Sequence, residues 1–154
     1  MKLLKTTALG VLLSLSFTFA HAQLIPAVKE AEEHKPRIFS DLPPKISFNI
    51  HMLEAVLATE VGARINLLIA PGFSFQGHVV SKSDASEKRV NTIVIRSTNR
   101  SGATMTFTRI TNADGSYSYN GRILSMKHSD ALEIVQETGG FALVKKEFNE
   151  LIME

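Results

Sequence analysis

Gly62 divides this chain by the rhythm of its apolar residues. Before it, Ile46, Ile50, Leu53, Val56 and Leu57 recur at steps of three and four, with one of a single residue. After it, Ile65, Leu67 and Ile69 recur at every second position. The first period follows the 3.6-residue turn of an α-helix, and the second follows the alternation of a strand. The spacing predicts one short amphipathic helix, with Asn49 as its N-cap and Gly62 shortly beyond its end. A helix with a single apolar stripe has to bury that stripe against another element.

The alternating half of the chain supplies that element. Pro71-Gly72 turns the chain, and Phe73, Phe75, Gly77 and Val79 alternate after it. A polar, charged loop spans 81–89, and a β-branched run follows over 92–98. Residues 99–102 read as a turn, 103–111 alternate again, and Asn112-Ala113-Asp114-Gly115 is the strongest turn signal in the chain. Further strands are expected over 116–126, 131–136 and 141–145, the last two flanking Gly139-Gly140. Phe148, Leu151 and Ile152 predict a short closing helix within 146–153. The expected fold is mainly β (α+β). It is an antiparallel meander or partly closed barrel of about seven strands, with one N-terminal amphipathic helix and a short C-terminal helix. Short connections favour neighbours in space, and curling around the helix hides both an edge and a face.

The first 22 residues read as an export signal. Lys2 and Lys5 precede an uncharged run from 8 to 20, and Ala20-His21-Ala22 fits a small-x-small cleavage site. Cleavage near Ala22 places the product in the periplasm or the medium, with no stable membrane insertion afterwards. Residues 23–44 carry four prolines and Glu30, Glu32 and Glu33, which predicts a flexible tail. Residues 45–154 are expected to form a single β-rich domain. The chain contains no cysteine, so a disulfide framework, a lipid-anchoring cysteine and a thiolate zinc site are all excluded.

The signal carries two of the 17 basic residues and none of the 15 acidic ones, so the remainder is balanced. A neutral chain has no general attraction to nucleic acid or an anionic bilayer. His34, His51, His78 and His128 show no metal-ligand spacing. His128-Ser129-Asp130 has the letters of a hydrolytic triad, but adjacent residues cannot take up triad geometry; it reads as a turn. Asp84, Asp130 and Glu133 carry carboxylates, and nothing marks two of them as an acid–base pair. No P-loop, dinucleotide fingerprint or nucleophile elbow occurs, so neither a catalytic residue nor a cofactor is assigned.

Charge within the domain is uneven. Residues 82–122 hold seven basic residues against three acids, and 123–154 hold three against six. In the hairpin around the Asp114-Gly115 turn, Thr108 is expected opposite Tyr119 and Ile110 opposite Tyr117. Met105 and Phe107 then face the core, and Thr104, Thr106, Thr108, Tyr117 and Tyr119 form an outer shelf. Arg96, Arg100, Arg109, Tyr117, Tyr119 and Arg122 are the candidate binding residues, because rigid aromatic area beside guanidinium groups suits protein or glycan contact.

The strings PGFSFQGHVVS, TIVIRSTNRSGATMTFTRI, DGSYSYNGRILSMKHSDALEI and GGFALVKKEF resemble exported β-rich bacterial proteins. The Gly-Arg-Ile, Asp-x-x-Glu-Ile and Phe-x-Leu pieces resemble prosegments of secreted metalloproteases. That second resemblance implies a chaperone or inhibitor role. The leading expectation is an exported, non-enzymatic binding module for a protein or glycan partner. A small protease inhibitor or prosegment-like chaperone comes second, and a small hydrolase third. The oligomeric state stays open.

Overall fold

The computed structural model describes residues 35–83 and 89–152. The export signal, residues 23–34 of the Pro/Glu-rich stretch, and residues 84–88 of the charged loop lie outside the described residues.

Eight strands form one antiparallel sheet that curls into a half-barrel: β1 (Lys45–Phe48), β2 (Arg64–Ala70), β3 (Phe73–Lys82), β4 (Val90–Ser97), β5 (Thr104–Thr111), β6 (Tyr117–Leu124), β7 (Asp130–Glu137) and β8 (Gly140–Glu147). From β2 to β8 each strand pairs with the next in sequence, and β1 closes the order by pairing with β8. The chain is therefore a meander with one long-range closure, as short connections favour. The two edge strands, β1 and β2, flank a cleft lined in part by Leu42, Pro43, Ile46, Ala70 and Phe73.

The helix is shorter than its apolar spacing predicts. Helix α1 spans His51–Val56, and Ile46 belongs to β1, where it stands opposite Leu143. Ile46, Ile50, Leu53, Val56 and Leu57 are all buried, so the stripe marks the core correctly while spanning two elements. The N-cap is Ile50, whose side chain makes no capping hydrogen bond, and not Asn49; Asn49, one residue earlier, accepts the His51 N–H on its side-chain oxygen at 3.0 Å. The strand at 45–48 is the eighth, absent from the expected seven. The expected C-terminal helix does not form either. β8 runs on to Glu147, with Lys145 and Lys146 paired to β7, and only a 3-10 turn follows at Glu150–Ile152. Ladder pairing with β7 holds the residues that the closing helix would have started from.

Residues 35–44 pack onto the sheet. Phe39 is fully buried and Leu42 nearly so. The N–H groups of Ile38 and Phe39 donate to the two oxygens of the buried Asp130 carboxylate at 2.7 and 2.9 Å. The Lys145 ammonium donates to Leu42 O. A buried carboxylate needs such partners, because desolvation without them is expensive.

The β5–β6 hairpin closes one residue away from the expected register. Thr111 stands opposite Tyr117 and Arg109 opposite Tyr119, around a loop of residues 112–116. Gly115 adopts φ +83 there, and its N–H donates to Asn112 O. The left-handed glycine adds one residue to the loop, so the pairing centre moves.

Candidate functional site

The curl gives the sheet a concave face filled by α1 and residues 35–44, and a convex face open to solvent. The six residues singled out from sequence fall into three places. Arg109, Tyr117 and Tyr119 come together on the concave side, at the rim formed by the β5–β6 arm. Arg96 and Arg122 point from the convex face and are exposed. Arg100 sits in the β4–β5 turn and ties the chain together.

The rim is built from rings. Tyr119 stacks on Phe107, with centroids 5.9 Å apart and planes 6° from parallel. It meets Phe141 edge-on at 5.4 Å, and Phe141 in turn lies 6.5 Å from Phe48. Tyr119 thus belongs to the core side with Phe107, not to the threonine shelf. Its hydroxyl donates to Glu54 of α1, whose other oxygen lies 2.6 Å from His51 Nδ1. The hydrogen bonds from Tyr119, and after it from His51, hold the Glu54 carboxyl below its ordinary range. Burial, and after it the Glu54 carboxylate, push the Tyr119 phenol up to about 12. Tyr117, one pair nearer the loop, is 49% exposed, and the Arg109 guanidinium lies over its ring at 4.7 Å. A cation stacked on an exposed ring contributes about 0.5–1 kcal/mol and presents a flat amphipathic surface.

Strand pairing stops at this rim. β6 and β7 pair only over Arg122–Glu133, Ile123–Leu132 and Leu124–Ala131. Toward the β5–β6 loop the two strands part, and Tyr117, Ser118 and Asn120 are exposed. Thr111 N–H donates to Arg89 O, toward β4, so the alternation along β5 turns its even-numbered backbone groups toward β6. The backbone groups of Tyr117 and Tyr119 consequently face the gap. Among the described residues no strand fills it.

Arg100 does a different job. Its guanidinium donates to both oxygens of Asp41, at 2.7 and 2.6 Å, and to Ile38 O at 2.7 Å. It also lies 5.8 Å from the Phe39 ring centre and 5.7 Å from that of Phe73. The hydrogen bond from Arg100 lowers the Asp41 carboxyl, and the same bond raises Arg100. This is a two-pronged clamp on residues 38–41, with three of the five guanidinium donors committed to it.

The triad letters at 128–130 are spent on structure. Asp130 holds Ile38 and Phe39, Ser129 Oγ donates to Lys35 O, and His128 Nδ1 lies 2.8 Å from Ser125 Oγ. Among the described residues no three His, Asp or Glu converge as a metal site would require. Glu54, Phe107 and Phe141 were missed as rim residues, since only the register and the helix position bring them to Tyr119. Arg64 and His78 were missed beside Arg96 for the same reason: they lie on three different strands. No known family matches this chain, and neither a curated protein nor a solved structure is detectably similar to it.

Proposed function

We propose that this protein is a non-enzymatic binding module, acting in the periplasm or outside the cell, that takes up an extended segment of a protein partner at the β5–β6 rim. The observation that carries this reading is the early end of β6–β7 pairing, beside the stacked Arg109–Tyr117 pair. A strand edge with free N–H and C=O groups is a template for a further strand, and main-chain hydrogen bonds supply affinity there. Tyr117 and Arg109 add the kind of side chains that dominate binding energy at interfaces. The exposed Gln136 and Glu137 of β7 form the opposite wall of the gap, so an inserted strand has neighbours on both sides. Tyr119 is the anchor of this rim, and Tyr117 is its contact residue.

Pull-downs from periplasmic and extracellular fractions test the reading, with the full chain set against an Arg109→Glu, Tyr117→Pro double variant. Proline at 117 removes one edge donor at the first residue of a strand, where a fold tolerates it. A protein held by the parent and lost by the variant is expected. Identical partners for both would reject the rim as the contact surface.

A further inference from the structure

The convex face carries a second feature, independent of the rim. Side chains directly opposite in an antiparallel pair have Cβ atoms about 5 Å apart. The register sets Arg64 of β2 opposite His78 of β3, and His78 opposite Arg96 of β4. Across β5 and β6 the row runs on through Thr104 to Leu124, while Arg122 stands two residues along β6, between Thr106 and Glu133 of β7. None of these four side chains makes an ion pair among the described residues, and no acid lies on this face between β2 and β6 among them.

Between the cations lie hydrogen-bonding groups. A shallow depression of about 500 Å³ is lined by Arg64, Ile65 and Asn66 of β2, by Gln76, Gly77 and His78 of β3, and by Thr98. Its floor is pinned. Thr98 N–H donates to Gln76 O at 2.8 Å, and the Asn99 side chain both accepts from Gln76 N–H at 3.0 Å and donates to Ser74 O at 2.9 Å. The surface is therefore rigid, cationic and amide-rich, and it presents no Phe, Tyr or Trp ring.

We propose that this strip binds an acidic polysaccharide with one anionic group per disaccharide, laid across β2, β3 and β4 so that Arg64 and Arg96 meet successive acids. Spacing selects this occupant. Arg64 and Arg96 stand two strand spacings apart, about 10 Å, which is about the length of a disaccharide. An extended acidic peptide repeats its same-side carboxylates at about 7 Å, out of step with the row. A single-stranded nucleic acid stacks successive bases on a run of rings, and this face offers one imidazole and no Phe, Tyr or Trp among the described residues. The amides of Asn66 and Gln76 suit the hydroxyls between the acids.

The test uses the full chain with hyaluronan oligosaccharides in low salt, read by calorimetry. Poly-L-glutamate of matched charge and neutral dextran serve as competitors. Binding to hyaluronan is expected, with no displacement by dextran. An Arg64→Ala, Arg96→Ala double variant should weaken it at least about tenfold, the scale of losing charge-assisted contacts. Both side chains are exposed, so circular dichroism of the double variant should match the parent. Arg89→Ala, an exposed arginine away from the row, should leave affinity unchanged. No binding to hyaluronan, an equal loss in Arg89→Ala, or equally tight binding of poly-L-glutamate would each overturn the proposal. Because the rim lies on the other face, the outcome is separable from that of the strand-uptake experiment.

Discussion

Tyr119 shows how one hydroxyl joins two elements. Its ring is held between Phe107 and Phe141, and its oxygen reaches Glu54 on α1. The chain has two tyrosines and no tryptophan, so ultraviolet titration of a Tyr117→Phe variant reads Tyr119 alone. The phenolate should appear near pH 12. A midpoint near 10, the ordinary tyrosine value, would mean that neither burial nor Glu54 acts on this group. The raised pKa stabilises the fold fully below pH about 10, and that contribution is lost between about 10 and 12 as the phenol ionises. Glu54 has the opposite sign. Its lowered pKa stabilises the fold above the ordinary carboxylate range and is lost on acidification. Tyr119→Phe keeps the stacking and removes the bond, so it should cost about 1 kcal/mol at neutral pH and flatten the alkaline limb of the stability curve. Arg100 is the other residue whose role chemistry alone did not disclose. Arg100→Lys keeps the charge but cannot make the fork to Asp41, and should destabilise by about 1–2 kcal/mol in urea titration. It should leave partner capture unchanged. Loss of capture by a fully folded Arg100→Lys protein would return this residue to the binding surface.

Element by element, the sheet was largely legible and its register was not. Alternation of apolar residues located β2 through β8, because a half-buried strand cannot avoid showing its period. The hairpin's loop length depends on whether Gly115 takes a left-handed conformation, and no period records that. One residue of slip moved Tyr119 from the solvent shelf to the core side and set Arg109 opposite it. Tyr117 changed face on the same step. The helix was over-extended because Ile46 satisfies a three- and four-residue spacing as well as a strand's alternation with Phe48. Only the ladder with β8 decides between them. Strand packing also explains Gly77, which stands in β3 directly opposite Ser97. A Cβ added there would lie 2.4 Å from Arg96 O and 2.8 Å from Ile95 Cγ2. The nearer obstacle is backbone, so Gly77→Ala has to push β3 and β4 apart. Thermal unfolding should report a loss of about 1–3 kcal/mol. A variant as stable as the parent would show that this pair of strands yields more easily than a packed ladder should.

At the scale of the whole molecule, residues 35–44 decide whether the half-barrel has a finished core. The prolines of this stretch suggested a tail, and composition carries no sign of where the chain comes to rest. Phe39 buries its whole side chain, worth about 2–3 kcal/mol by area, and Leu42 adds a similar amount. The strap also completes polar groups elsewhere: two N–H donors for Asp130, a carbonyl for Lys145, and Pro36 O for the Ser129 N–H. Removing it leaves the Asp130 carboxylate buried without those donors, and an unpaired buried charge is among the most costly defects a fold can carry. Arg100 and Phe73 lose their cover at the same time. These losses together approach the total stability of an ordinary domain, about 5–15 kcal/mol. A chain beginning at residue 45 should therefore stay unfolded or collapse without a cooperative transition. Adding a peptide of residues 35–44 should restore part of that transition in a concentration-dependent way, because the missing element binds only the folded state. A chain lacking the strap that melts as cooperatively as the parent, at a similar temperature, would show that the sheet and α1 close the core by themselves.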